Sequence, residues 1–509
     1  MGRKSGRIAA FAVGLLAGLP GIAGANTLTV TASDLLPFGT GSYWAPGVAP
    51  PPYEGPSIKV RDRDPVSGWL AERISDGRAH GFADMVYDNR DRLHSSLLPT
   101  DFPALPHLKY GPELVQAGID YGIGGRVLLP TVTFGNSSTA ITGGNAPRSL
   151  PRFAMTDPEW PDRLFTGYRR NHIYIYPEHR DHDLIDLFPA NWPYTVISQG
   201  SSGSDQAFMK GFAMSLAALP PETFAKLREE RLVAPTLQML LRQSMGPGYT
   251  GTSYLSGPAH PVVFDGKALD RRAMVRAAAE LKADEIPPMV QLTVLDESFS
   301  ETAGLANQDE RLFSTPSAIA RLWHSPMPRA WLELSAETTR DPNGRALEFH
   351  WRLLNGDPAF VQIEPMGEEA HKARITIDWH APLMRLAPID QGAVRMSSRV
   401  DVGVIAWNGV NFSAPAIVSV DLPAHQKRTY EHGPDGALTF AQIDYDAVGR
   451  RMAFDPLLYW TAPWSDRFVD GRWQRRFHGT AEWRDSNPDF VHPIDRSDPK
   501  RPVLQLWRP

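Results

Sequence analysis

A chain of 509 residues, 42% of them hydrophobic, has the length for about two to four domains and enough apolar material to build cores, which excludes a disordered protein. Its formal charge of −5 leaves no basic stripe for nucleic acid and no polybasic patch for anionic lipid. The absence of cysteine excludes disulfides, thiolate metal sites and cysteine nucleophiles.

At the N-terminus, Arg3, Lys4 and Arg7 precede an apolar run from Ile8 to Leu19, and Ala23-Gly24-Ala25 supplies small residues for cleavage. This pattern predicts a signal peptide over 1–25 and a bacterial periplasmic or secreted location. The run is short for a membrane span, and no later stretch approaches one.

Residues 26–325 read as an α/β domain, because strand-like and helix-like segments alternate. Residues 27–32 alternate as the first strand and end at Ser33-Asp34. The Pro- and Gly-rich stretch 37–56, with Tyr43 and Trp44 inside it, is a wrapping segment or a site wall. Helical patterns fall at 66–78 and 111–118, separated by the polar run Tyr87-Asp-Asn-Arg-Asp-Arg-Leu-His94. That run is either a solvated charge cluster or, through Asp88, Asp91 and His94, part of a site rim, and Asp34 could join the same rim. Further strands are predicted at 127–134, interrupted by Pro130, at 173–176 and at 194–198. Helices follow at 206–219, 221–231, 234–244 and 267–283, and Val290–Leu295 reads as one more strand.

Three of the predicted strands run into polar loops. Residues 127–134 lead to Gly135-Asn-Ser-Ser-Thr139, with Asn136 and Ser137 as candidate substrate-binding residues. Residues 173–176 lead to Pro177, expected to end the strand, and then to Glu178-His-Arg-Asp-His-Asp183. In that loop Glu178, His179, Asp181 and His182 are candidate catalytic groups, and Arg180 is a candidate for positioning substrate. His179, His182 and Asp183 supply the nitrogen and oxygen ligands that a divalent metal ion would take in a chain without thiols. The alternative is an ion-paired loop in which Arg180 neutralises the carboxylates. Residues 194–198 lead to Gln199-Gly-Ser-Ser-Gly-Ser-Asp205, where Ser201, Ser202, Ser204 and Asp205 are candidates to hold substrate. Here the simpler reading is a helix cap by Ser204 or Asp205. If the three strands are parallel neighbours, all three loops gather at one sheet edge, where α/β proteins place ligands.

After Pro326 the pattern becomes short, alternating and β-branched, with runs at 330–336, 346–354, 373–379, 399–407 and 413–421. The segment Ala336-Glu-Thr-Thr-Arg-Asp-Pro-Asn-Gly-Arg-Ala-Leu-Glu-Phe-His-Trp351 resembles the PKD-type, immunoglobulin-like module, whose pattern is Asp-Pro-Asp/Asn-Gly followed by a strand ending in aromatic-x-Trp. The resemblance implies an all-β sandwich over 326–423 that acts as a spacer or associates with polysaccharide and is not itself catalytic. After Trp351, Arg-Leu-Leu-Asn-Gly-Asp replaces the acidic run usual in that family. The N-terminal part resembles uncharacterised exported bacterial proteins with similar PEHRDHD and GSSGSD runs, which implies no activity. The last segment, 424–509, is Trp-rich, with turns at Gly433-Pro-Asp-Gly436 and Asp470-Gly471, and reads as irregular β-structure.

These features favour an exported hydrolase of a glycan or related polymer, working through a carboxylate pair or a metal-activated water. A non-catalytic glycan-binding or envelope-scaffold protein is the second reading. A serine esterase using Ser202 or Ser204 is the third, although no Gly-x-Ser-x-Gly stands in register. Each of them takes carbohydrate or another extracellular polymer as partner, or an ester.

Overall fold

Runs of β-branched and aromatic residues flanked by helical segments form one parallel sheet in the N-terminal part of the chain. The computed structural model describes residues 26–507 except 40, 61–64, 123–125, 138–158, 179–191, 200–202, 302–308, 387–393, 424–425, 446, 448–463, 471, 478, 485–489 and 496–502. The elements that position the candidate site are β1 (Thr27–Val30), α1 (Pro65–Ser75), β2 (Met85–Asn89), β3 (His107–Tyr110), α2 (Pro112–Gln116), β4 (Val132–Asn136), α3 (Glu159–Arg169), β5 (His172–Glu178) and β6 (Thr195–Gln199). Helices α4 (Gln206–Ala218), α5 (Pro221–Glu229), α6 (Val233–Gln243) and α7 (Arg271–Glu280) follow.

The six strands lie in the order β1-β3-β2-β4-β5-β6, and every pairing is parallel. Such a sheet must be covered on both faces, and all five residues of β4 are buried. Alternation along β2 sends Tyr87 into a core with Phe134 and with Phe208 and Phe212 of α4. Val86 enters the opposite core with Leu28, Val30 and Leu108. From β2 the chain steps outward to β3 and later returns to β4 on the other side. The order therefore reverses between β2 and β4, and the chains leaving these strands part there, which opens a crevice at their carboxyl ends.

Two prolines act differently. Pro130 separates Arg126–Leu128, which pairs with Ser42–Trp44 in a small sheet, from β4. The wrapping segment is thereby tied down, and its Phe38 and Trp44 rings enclose the Arg170 guanidinium at 5.0 and 4.8 Å. Pro177, expected to end the strand, does not: β5 continues to Glu178, with Pro177 opposite Ser198 of β6. Ile175 directs its carbonyl toward β4, where it accepts from Ser137 N–H. The nitrogen of Pro177, two residues on, faces the same side, where β4 has already ended, so no ladder bond is missed.

Several antiparallel sheets follow. Strands β7 (Thr293–Glu297), β8 (Arg311–Thr315), β9 (Ala318–Leu322), β10 (Arg329–Ser335), β11 (Glu348–Asn355), β12 (Val361–Met366), β13 (Lys372–Asp378), β14 (Arg399–Trp407) and β15 (Ala416–Asp421) build two of them. One has the order β7-β10-β13-β12; the other is β8-β9-β15-β14-β11, antiparallel except between β9 and β15. They share one core, to which Leu332 and Ile375 come from the first sheet and Trp351, Val402 and Val418 from the second. β7, β8 and β9 thus join these sheets from ahead of position 326. The segment expected to be irregular carries a regular meander of β16 (Lys427–His432), β17 (Leu438–Asp444), β18 (Trp464–Val469), β19 (Arg472–Phe477) and β20 (Thr480–Arg484). Buried Arg428 fastens this meander to the preceding sheets, donating to the carbonyls of Ser325 and Trp323 and lying 3.7 Å from the Trp379 ring. Among the described residues no helix is long and apolar enough to cross a membrane.

Gly135 shows how tightly the crevice is drawn. It stands opposite Asp88 in the β2–β4 register, and a Cβ there would lie 1.9 Å from the Asp88 carbonyl oxygen and 2.9 Å from the Tyr174 ring. No side chain rotation relieves a backbone clash. Gly135→Ala is expected to lower unfolding stability by about 3 kcal/mol in a urea melt, because β2 and β4 must separate.

Candidate active site

The carboxyl ends of β2, β4 and β5, and the start of α4 after β6, meet at the crevice. The strands leading to the three polar loops are parallel neighbours, as the sequence reading required. Direct contact joins two of those loops: the Asn136 side-chain amide, at the end of β4, donates to Asp205 Oδ2 at 2.8 Å. It also donates to Asp91 Oδ2 at 3.3 Å, so one carboxamide nitrogen spans two carboxylates. The carbonyl of the same carboxamide accepts from the Tyr87 hydroxyl at 2.5 Å. All four side chains are buried.

Asp205 departs from the simpler alternative of a helix cap. It occupies the N-cap position of α4, yet its side chain makes no capping hydrogen bond. Its Oδ2 turns to Asn136 instead. A cap contributes about 1 kcal/mol, so the geometry forgoes local helix stability to place a carboxyl group in the crevice. Burial pushes the Asp205 carboxyl up to about 6, and the Asn136 hydrogen bond, with His94 and Ser95 nearby, draws it only partly back. A carboxyl group with that value exchanges a proton near neutral pH, as acid–base chemistry requires.

The loop after β2 is held in an unusual shape. Arg92, Leu93 and Ser95 have φ of 57°, 74° and 53°, in the left-handed region that side chains other than glycine rarely adopt. Asn89 fixes the turn: its Oδ1 accepts from the backbone N–H groups of Asp91 and Leu93, and its Nδ2 donates to the His94 carbonyl. Gln206 of α4 donates to the Ser95 and Ser96 carbonyls, and the Gly203 N–H donates to Ser95 Oγ at 2.7 Å. His94 Nδ1 lies 3.9 Å from Asp91 Oδ2, on a side chain that is 53% exposed. The result is a buried carboxylate pair with an exposed imidazole at its mouth.

Asp88 belongs to a different, closed cluster. Its carboxylate accepts from Tyr110 and from Tyr174 at 2.7 Å, and Arg90 lies 3.7 Å away. The Arg90 guanidinium also donates to the carbonyls of Gly122 and Ile119. Beside Asp88, Tyr110 and Tyr174 are held well above the ordinary tyrosine range, chiefly by burial, so they remain protonated donors. This group ties β2, β3 and β5 beneath the site. Asp34 caps its own turn, accepting from Thr31 N–H at 2.7 Å, and takes no part in the crevice.

The remaining sequence candidates are placed as follows. Ser137 is buried, and its hydroxyl donates to the Arg90 carbonyl at 2.9 Å, bracing the neighbouring loop. Ser204 Oγ lies 3.4 Å from Ser198 Oγ. Glu178 ends β5, with its backbone opposite Gln199. His179, Arg180, Asp181, His182, Asp183, Ser201 and Ser202 lie outside the described residues, and with them the proposed metal ligands. Among the described residues no group of three or more His, Asp or Glu gathers as a metal site. The sequence offers Asp91 only as one of several rim residues, and it marks neither Asn89 nor Tyr87. Their signal was present in the run from Tyr87 to His94, which reads equally well as solvated charge until β2 is recognised as a central strand.

No family model matches the chain, and no curated protein matches it. Among solved structures, a nucleoside hydrolase-related hypothetical protein from Saccharophagus degradans, associated with carbohydrate metabolism, is similar over 57% of this chain and 71% of its own, at 13% identity and a TM-score of 0.18. A likeness that slight carries no argument about activity.

The Asp205 carboxyl makes a testable demand on stability. Its folded-state value of about 6 lies above the ordinary aspartate value of 3.8, so the folded chain binds this proton more tightly than the unfolded chain does. The resulting stabilisation is complete below about pH 4 and is lost as pH rises through 6. Asp205→Asn removes the ionisation, and is expected to raise unfolding stability at pH 8 by up to about 3 kcal/mol while changing it little at pH 4. Denaturant melts at both pH values check this.

Proposed function

We propose that this protein is a hydrolase acting on a glycan or related polymer, with Asp205 as the proton donor and Asp91 as the second carboxyl group. The observation that carries the reading is the Asp205–Asn136–Asp91 bridge at the reversal point of a parallel sheet. Glycosidic cleavage needs a protonated carboxyl group for the leaving oxygen and a second carboxylate for the water or the sugar carbon. Burial keeps Asp205 neutral in mildly acidic solution, and the buried Asp91 lies 3.9 Å from the exposed His94. The exposed, left-handed Leu93 beside them offers an apolar surface to a sugar ring.

The serine-esterase reading is weaker, because the hydroxyl of Ser204 is paired with Ser198 Oγ. For the β-rich part, a PKD-type, immunoglobulin-like spacer is supported by the Asp341–Gly344 turn, the buried Trp351 and the parallel β9–β15 pairing. A periplasmic or secreted location is supported by the signal-like N-terminus and the lack of cysteine.

Release of reducing ends from a panel of polysaccharides tests the activity. Asp205→Asn and Asp91→Asn are each expected to lower kcat by about 10²- to 10⁴-fold with unchanged circular dichroism. Wild-type kcat/KM should fall as pH rises above 6, when Asp205 loses its proton. Full activity in both variants would reject the mechanism, and glycan binding without product would leave the protein a binder.

A further inference from the structure

A second polar cleft lies at the opposite edge of the parallel sheet, where the α/β part meets the β-rich part. It encloses about 300 Å³ and is lined by Arg169, Arg231, Arg340, Glu230, Asp341 and Gln291, among others. Arg169 ends α3 just ahead of β5, at the amino edge, so this cleft is separate from the carboxyl-edge site. One wall is the Asp-Pro-Asn-Gly turn noted in the sequence, for which the hydrolase reading has no use.

We infer that this cleft binds an anionic group of an acidic glycan, a carboxylate or sulfate held by Arg169, Arg231 and Arg340. Guanidinium groups take planar and tetrahedral oxyanions in paired hydrogen bonds, which makes arginine the residue expected in such a site. The acidic residues of the cleft do not neutralise all three. Asp341 is occupied, with Oδ1 accepting from the backbone N–H groups of Asn343 and Arg345 and Oδ2 accepting from the Asn408 side chain. That leaves Glu230, an exposed carboxylate suited to accept a sugar hydroxyl. Next to the cleft, burial and the positive charges of Arg231 and Arg169 hold Arg170 below the ordinary arginine value, as expected where like charges gather.

Arg231 carries a second, independent mark. It follows the end of α5 with φ of 60°, and the N–H of the next residue, Leu232, closes the helix on the Leu227 carbonyl. Glycine takes this position without strain. An arginine here accepts backbone strain and places its guanidinium at the cleft. Such a departure from local preference is expected where a side chain is needed.

The walls are joined firmly. Lys226 of α5 donates to the Asn343 side chain across the cleft, and on the β-rich side Thr339 Oγ1 accepts from the Gln291 N–H at 2.9 Å. Sites between such units are where ligands commonly bind, and here the end of α3 and the segment after α5 form one side.

Calorimetric titration of the full chain tests this, with an oligogalacturonate, a sulfated oligosaccharide, a neutral cello-oligosaccharide and inorganic sulfate as probes. Saturable binding is expected for at least one of the two acidic glycans, weakening as salt rises, with the neutral sugar and inorganic sulfate at least about tenfold weaker. Which acidic glycan binds identifies the anion as carboxylate or sulfate. Arg231→Gly removes the guanidinium and the strain together, so binding should fall about tenfold or more while the Tm holds or rises. Arg169→Ala should weaken binding in the same direction. Asp205→Asn should leave it unchanged, so that failure of the hydrolase reading does not count against this site. The inference is overturned if neither acidic glycan binds saturably, if inorganic sulfate binds as tightly, or if the Arg231→Gly and Arg169→Ala variants bind as the wild type does.

Discussion

One carboxamide holds the polar edge of the sheet together. Asn136 has two N–H bonds and one carbonyl, and it spends the first on Asp205 and Asp91 and the second on the Tyr87 hydroxyl. Few side chains could do this, because a donor for two carboxylates must also accept from a buried phenol. The position of that carboxamide is set by the parallel register, which brings Asn136 level with Asn89 of β2 and Ile175 of β5. A one-residue slip would turn it toward the other face, away from Asp205 and Tyr87.

Around this hub the chain accepts several local penalties. Helix α4 goes uncapped by Asp205, three residues other than glycine adopt left-handed conformations in the loop after β2, and the Asp205 carboxyl group is buried. Each such departure costs on the order of 1–3 kcal/mol. The large core beneath, where Tyr87, Phe134, Phe208 and Phe212 pack, offsets them, since each fully buried large apolar side chain contributes about 1.5–3 kcal/mol. A rigid floor is a further requirement, and the Asp88, Arg90, Tyr110 and Tyr174 group supplies it with buried hydrogen bonds across the sheet. Two acidic residues close together in the chain thus do opposite work. Asp88 points to the sealed face and is structural, whereas Asp91 lies past the strand end, in the crevice.

Much of the architecture follows from local pattern alone. Apolar spacing from Phe208 to Leu216 places α4, Pro221 marks the start of α5, and alternation marks β10, β11, β13 and β14. β2 was hidden because its polar end, Asp88-Asn89, reads as solvated charge, although tertiary packing buries Asp88 completely. Pro177 misled for a related reason: a proline interrupts a strand only if its missing N–H faces a neighbour, and which side has a neighbour depends on where β4 stops.

By itself, the chain's order of residues determined the succession of α/β and β-rich parts, the helices with strong apolar periodicity and the polar character of the loops after β4, β5 and β6. These depend on neighbours within a few positions, where helix and strand periodicity act. Which polar residues meet was decided only by tertiary structure. Asp91 and Asp205 lie far apart in sequence and are joined by Asn136 because β2, β4 and the start of α4 converge at one edge. The ionisation of Asp205 was decided there too, since a carboxyl group's affinity for its proton depends on burial and on its partners, neither of which is written in adjacent residues.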